Sequence, residues 1–228
     1  MNADAADDVN ARRERMIAEI VQMVHETRTE TGRDALGAPV MAALRRVDRQ
    51  RFVPPAQADG AYDNRPLAIG GGQTISQPFI VALMTDLMDI GSGARVLEVG
   101  TGSGYQAAVL AEIAGAVYSI EIIEPLGREA ARALAAAGYR NVHTRIGDGY
   151  AGWPEAAPFD AIMVTAAAPE VPQPLLDQLK PGGRLVIPVG SQSGIQTLQV
   201  ISKDAQGAVA RRRVLDVRFV PLTRRPVN

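Results

Sequence analysis

The chain of 228 residues contains no cysteine. That absence removes disulfides, thiolate nucleophiles and zinc-thiolate sites together. Histidine is nearly as scarce, with only His25 and His143 to offer an imidazole to a metal, so no metal is expected. Excess charge is missing too: the net charge is −1, with arginine far outnumbering lysine and both scattered along the chain. No global field draws the protein to nucleic acid or to an anionic membrane surface. No run of about 18 apolar residues is present to cross a bilayer. The opening stretch MNADAADDVN is acidic and polar, without the basic and apolar regions of a signal peptide. A cytoplasmic protein with no membrane or nucleic-acid partner is expected. With no extended apolar seam in view, a monomer is expected.

What is present centres on Arg95–Gln106, RVLEVGTGSGYQ. Val96, Leu97 and Val99 read as a strand buried on both faces. Gly100, Gly102 and Gly104 follow at alternate positions, where the backbone can take positive φ and a ligand can approach without meeting a Cβ. Tyr105–Ala114 then reads as a helix. Strand, glycine turn and helix in this order open a Rossmann-like unit. A dinucleotide fingerprint needs glycine at position 105, where this chain has tyrosine, so NAD is set aside. Glu98 precedes the turn, and a second acid, Glu121, ends the apolar run Val117–Ile120 about 20 residues past the first glycine, where a ribose diol is gripped. This combination resembles the S-adenosylmethionine site of class I methyltransferases.

Along the chain, residues 1–10 read as a disordered tail. Met16, Ile17, Ile20, Val21, Met23 and Val24 then recur at helical spacing, with His25 beside the stripe as a partly buried structural residue. Pro39 opens a second helix through Val47, and Pro54 and Pro55 end it in a loop. Tyr62–Ile90 carries three consecutive glycines, then QTIS, then a helix with Ile80, Leu83, Met84, Leu87 and Met88 on one face. Ser76 stands two residues before Pro78, where its hydroxyl could cap the helix or receive a substrate carboxylate. Strands are expected at 116–121, 142–147, 159–165 and 184–189, with helices near 124–137, closed by Gly138, and 172–180. Such alternation implies a parallel sheet covered on both faces. Asp148, in GDGY past the third strand, falls at the sheet edge where it would meet an adenine amino group. Lys180–Gly183 is expected as a helix stop and tight turn. Residues 197–203 and 208–216 read as an antiparallel hairpin across 204–207, with Arg211, Arg212 and Arg213 on a solvated face. Residues 11–90 are expected to supply helices and an active-site loop, and 91–228 the core, within one compact domain.

Several separate stretches resemble the protein-L-isoaspartate (D-aspartate) O-methyltransferases: RFVPP at 51–55, IGGGQTISQP at 69–78, VLEVGTGSGYQ at 96–106, GDGY at 147–150, FDAIMVTAAAP at 159–169, LKPGGRLVIPVG at 179–190 and RFVPL at 218–222. The likeness runs over roughly residues 15–223. GQTISQP and VTAAAP are the most specific carriers; Ala68 departs from the proline common in that family. The resemblance implies an α/β fold of the class I S-adenosylmethionine-dependent methyltransferase type: a mostly parallel sheet with helices on both faces, a C-terminal antiparallel hairpin and an N-terminal helical extension. It makes Ser76 the active-site serine and assigns the cofactor to Glu98, Gly100, Thr101, Gly102, Gly104, Glu121, Asp148 and Gly149. Thr74, Ile75, Thr165 and the backbone around Val220 would border a peptide groove with Ser76. The implied reaction moves a methyl group from S-adenosyl-L-methionine, leaving S-adenosyl-L-homocysteine, to the α-carboxylate of L-isoaspartyl residues in age-damaged proteins, with D-aspartyl sites as a further substrate. Two rivals are a methyltransferase acting on normal aspartate in a dedicated peptide and a non-catalytic cofactor-binding scaffold.

Overall fold

The computed structural model describes residues 3–191 and 194–224. Its first helix, α1, spans Ala3–Glu26, so residues 3–10, expected as a disordered tail, continue the amphipathic helix. The alanines there are strong helix formers, and Asp8 pairs with Arg12 one turn later. Met1 and Asn2 lie outside the described residues. Met16, Ile17, Ile20 and Val24 are buried, but Val21 is 50% exposed on the opposite face. His25, expected as partly buried, is exposed, because it follows Val24 around the helix and out of the apolar stripe. Two further helices, α2 (Arg28–Thr31) and α3 (Ala38–Arg46), complete the N-terminal layer. Pro39 in the first turn of α3 has no N–H to leave unpaired. The proline-bearing segment after it folds into 3-10 turns at Arg49–Phe52 and Pro55–Gly60.

A small hairpin follows, β1 (Leu67–Gly70) against β2 (Gln73–Ile75). Its turn runs through Gly70, Gly71 and Gly72 at φ 92°, 58° and 71°, a left-handed sequence that only glycine adopts cheaply three times over. Helix α4 (Pro78–Met88) leaves the hairpin and packs on the main sheet rather than on the N-terminal helices alone.

The main sheet has seven strands in the order β5-β4-β3-β6-β7-β8-β9. They are β3 (Arg95–Val99), β4 (Ala116–Glu121), β5 (Val142–Ile146), β6 (Phe159–Val164), β7 (Leu179–Gly190), β8 (Gln196–Lys203) and β9 (Val209–Val217). β5 to β7 along that order are parallel, and β8 and β9 return antiparallel. The sheet reverses its order beside β3, and this switch point is where ligands of open α/β sheets bind. Alternate side chains feed two cores. Val96, Met163 and Val186 face α4, α5 (Tyr105–Ala111) and α6 (Glu124–Ala136). Leu97, Ile162 and Leu185 face α7 (Gln173–Asp177) and short 3-10 turns. Helix α6 ends as expected: Gly138 at φ 90° lets Tyr139 N reach Leu134 O at 3.1 Å. The Lys180–Gly183 turn is instead absorbed into the start of β7, with a register shift opposite Phe159–Ala161. That shift is the bulge a chain makes when the turn glycines still hydrogen-bond along their neighbour.

Candidate active site

Two adjoining cavities open at the carboxyl ends of β3, β4 and β6. The first, about 780 Å³ counted to its open mouth, is walled by the glycine turn, Glu121 and the β2 hairpin. The second, about 970 Å³, lies between α1, α4 and the segment after β9. Thr74, Ser76, Thr165 and Val220 line both cavities, so these residues form the passage between them.

The turn that lines the first cavity is packed tightly against β6. Gly100 sits at φ 99°, and a Cβ there would lie 2.3 Å from Thr165 Oγ1. That hydroxyl donates to Gly100 O at 2.6 Å, with Val99 O also within reach at 3.1 Å, tying β6 to the turn. Glu121 is buried with each carboxylate oxygen already accepting one backbone N–H, from Gly102 at 2.8 Å and Ile123 at 2.9 Å. Its orientation is thereby fixed, and each oxygen keeps a lone pair for a ligand hydroxyl.

Ser76 carries two compatible readings, helix cap and carboxylate donor, and its surroundings bear on the first. The first free amide of α4 after Pro78, Phe79 N–H, donates to Asn64 Oδ1 at 3.0 Å. Asn64, brought in from the preceding loop, does the capping. The Ser76 hydroxyl makes no hydrogen bond among the described residues and stands half-buried at the passage. Its carbonyl, in contrast, is held by Arg49 Nη2 at 2.8 Å. On the far side of the passage, Val220 O accepts from Ala167 N at 2.8 Å, and Phe219 N donates to the buried Gln196 Oε1 at 2.9 Å.

Of the expected cofactor set, Gly100, Thr101, Gly102, Glu121 and Gly149 line the first cavity. Glu98, Gly104 and Asp148 do not. Glu98 is fully buried on the face of β3 turned to the helices. It accepts from Ser119 Oγ, which meets Thr101 Oγ1 at 2.6 Å, so it supports the turn from beneath. Burial, opposed by the Ser119 bond and aided by the charge of Glu121, pushes the Glu98 carboxyl up to about 8. Gly104 faces α6, where a Cβ would lie 3.2 Å from Leu134 Cγ; it is a helix-packing glycine. Asp148 is exposed at the rim, one oxygen accepting from Tyr150 N at 2.9 Å to hold a 3-10 turn. Ile75 lines the first cavity beside Thr74. Sequence reasoning passed over Gln73, Ser103 and Thr223, which also line it. Thr223 directly follows RFVPL and Ser103 lies inside the glycine motif, so position alone was the available signal. Arg49 and Gln196 gave none, since their burial depends on tertiary packing.

Among the described residues, no cluster of three metal-ligating side chains exists, and no helix is long and apolar enough to cross a membrane.

The family model described as Protein-L-isoaspartate(D-aspartate) O-methyltransferase (PCMT) matches residues 22–226. A protein-L-isoaspartate O-methyltransferase 2 from Polaromonas sp. (strain JS666) is 60% identical over 208 residues, covering 91% of this chain and 99% of its own. A protein-L-isoaspartate O-methyltransferase 1 from Cupriavidus necator is 58% identical, covering 96% of this chain and 85% of its own. Among solved structures, one protein-L-isoaspartate O-methyltransferase superposes with a TM-score of 0.79 at 28% identity, over 92% of this chain and 66% of that one. A putative protein-L-isoaspartate O-methyltransferase from Plasmodium falciparum, in complex with S-adenosyl-L-homocysteine, gives 0.72 at 25% identity, over 90% of this chain and 97% of that one. Likeness across nearly the whole length, with the glycine turn and the QTIS hairpin meeting at one passage, makes this chain a member of the protein-L-isoaspartate (D-aspartate) O-methyltransferase family.

Proposed function

We propose that the protein is a repair methyltransferase that transfers a methyl group from S-adenosyl-L-methionine to the free α-carboxylate of L-isoaspartyl residues in damaged proteins. The observation that carries this reading is the shared wall of the two cavities: Ser76, whose hydroxyl has no partner among the described residues, stands between the cavity at the glycine turn and a second cavity open beside it.

The glycine turn and Glu121 fit the cofactor, through the backbone of Gly100, Thr101 and Gly102 that lines the cavity and through the lone pairs that Glu121 keeps for ribose hydroxyls. When bound, S-adenosyl-L-methionine supplies an electrophilic methyl group on a sulfonium. Everything else falls to this chain's residues. A carboxylate with a pKa of about 4 is already ionised at neutral pH, so no general base has to be provided. The task is orientation: Ser76 Oγ donates to one carboxylate oxygen and leaves the other free to attack, while Thr74, Thr165 and the 219–221 backbone fix the peptide around it. Closing the passage against water favours a step in which opposite charges cancel. The methyl ester formed loses methanol when the following backbone nitrogen attacks its carbonyl, giving a succinimide. Water then opens the ring, in part to normal aspartate. D-Aspartyl sites are a further substrate in this proposal. We place the enzyme in the cytoplasm, acting as a monomer and without nucleic acid.

The test is Ser76→Ala. Because the hydroxyl caps nothing, the melting temperature should stay within about 1 °C of wild type, while loss of a hydrogen bond to a charged group lowers turnover about 10- to 100-fold. Wild-type turnover with unchanged affinity for an isoaspartyl peptide would remove Ser76 from the mechanism.

A further inference from the structure

Arg49 is fully buried behind the Ser76 loop. No carboxylate pairs with it among the described residues. Its donors meet two carbonyls, Ala61 O from Nε at 2.8 Å and Ser76 O from Nη2 at 2.8 Å, and its guanidinium lies over the Tyr105 ring at 4.6 Å. Nη1 and the neighbouring Tyr105 hydroxyl are buried with no partner but each other among the described residues. Asp48, the adjacent acid in the chain, is turned away: it accepts from Tyr62 Oη at 2.7 Å and lies near Arg13 and Arg51. An unpaired buried cation is an expensive thing to retain in a fold. Burial lowers the guanidinium to about 10, which still leaves it protonated at neutral pH. Both walls it touches belong to the site, since Tyr105 lines the first cavity and Ser76 lines both.

Resting on the reading above, we infer that Arg49 is a positioning residue and the buried counter-charge for the substrate's α-carboxylate: it clamps the Ser76 peptide by its carbonyl and holds a fixed positive charge behind the carboxylate's seat. The stretch RVDRQRF thus serves the site from beneath without touching the substrate. A carboxylate entering a dry passage loses hydration, and a cation a few ångströms behind the wall offsets part of that loss in a medium of low dielectric. Among the described residues, the cation that lines either cavity is Arg218, which borders the second and is exposed. Salt screens an exposed charge strongly and a buried one weakly.

The experiment compares two peptides, one with an isoaspartyl α-carboxylate and one with the neutral isoasparaginyl carboxamide in its place. Affinity for each is measured competitively in wild type, Arg49→Gln and Arg49→Lys. Binding of S-adenosyl-L-homocysteine serves as the check on folding. Wild type should prefer the carboxylate peptide, and the preference should hold within about twofold between 50 mM and 1 M salt. Arg49→Gln should reduce it about tenfold through the carboxylate peptide alone, with S-adenosyl-L-homocysteine affinity unchanged. Arg49→Lys should keep most of the preference but lose kcat, because an ammonium cannot reproduce the fork that spans two carbonyls. A purely structural role would weaken both peptides equally in both variants, and that result overturns the inference. So does a wild-type preference that collapses in high salt, which would assign the charge to Arg218; this arm decides the matter if the variants fail to fold. Wild type that methylates no isoaspartyl peptide overturns the functional reading and the inference with it.

Discussion

Replacing Glu98 by glutamine should flatten the dependence of stability on pH. Glu98 has no exposed surface, one carboxyl oxygen accepting from Ser119 and the other, Oε1, without a partner. Burial holds its carboxyl at about 8 against an ordinary value of 4.5. Folding therefore favours the protonated form, so this group's contribution is complete below the unfolded pKa and is lost as pH rises through the folded one. Integrated from pH 5 to pH 8, the loss amounts to roughly 3 to 4 kcal/mol at 1.36 kcal/mol per pKa unit. Glutamine keeps the acceptor for Ser119 and carries no titratable proton. Any cost of its amide is the same at every pH, so the slope isolates the carboxyl. Urea unfolding of both proteins at pH 5, 6, 7 and 8 measures it. The variant should gain on wild type steadily across that range, and parallel stability curves would refute the reasoning. Because Ser119 also meets Thr101 in the glycine turn, a modest change in S-adenosyl-L-homocysteine affinity is expected alongside, with no loss of the reaction.

Two further substitutions probe the proposed cofactor wall. Gly100→Ala puts a Cβ against Thr165 Oγ1 at a backbone of φ 99°; it should cost at least about 2 kcal/mol in urea unfolding and abolish S-adenosyl-L-homocysteine binding by calorimetry, and retained affinity would contradict the placement of the turn. Glu121→Gln offers one acceptor where Gly102 and Ile123 present two donors, so a buried N–H loses its partner at about 1 to 3 kcal/mol; cofactor affinity should fall more than tenfold, and an unchanged value would mean that Glu121 serves the turn alone.

The parts of the molecule legible in its sequence are those fixed by local backbone demands. Glycines at 100 and 102 announce a turn because a side chain there would collide or strain, and Asp204–Gly207 announces the β8–β9 reversal for the same kind of reason. Strands β3 to β6 fall within about a residue of their expected ends, since short apolar runs between turn residues leave little choice. Side-chain alternation could have separated the two acids: Glu98 shares a face of β3 with Val96, away from Leu97 and Val99, whereas Glu121 ends its strand at the sheet's edge. The cap on α4 was beyond local reasoning, because Asn64 reaches Phe79 from 15 residues away. Arg49 was beyond it as well. Nothing near Arg49 distinguishes it from the exposed Arg45, Arg46 and Arg51, and only packing of the Ser76 loop over it makes it a buried cation.

The most direct test of the central claim is methyl transfer from labelled S-adenosyl-L-methionine to two peptides that differ only in an L-isoaspartyl or a normal aspartyl linkage. The passage beside Ser76 is expected to accept the isoaspartyl α-carboxylate and to leave the normal β-carboxylate unlabelled. Equal labelling of the two, or labelling of the normal peptide alone, would contradict a repair function, and labelling of neither with S-adenosyl-L-homocysteine still bound would leave a cofactor-binding scaffold.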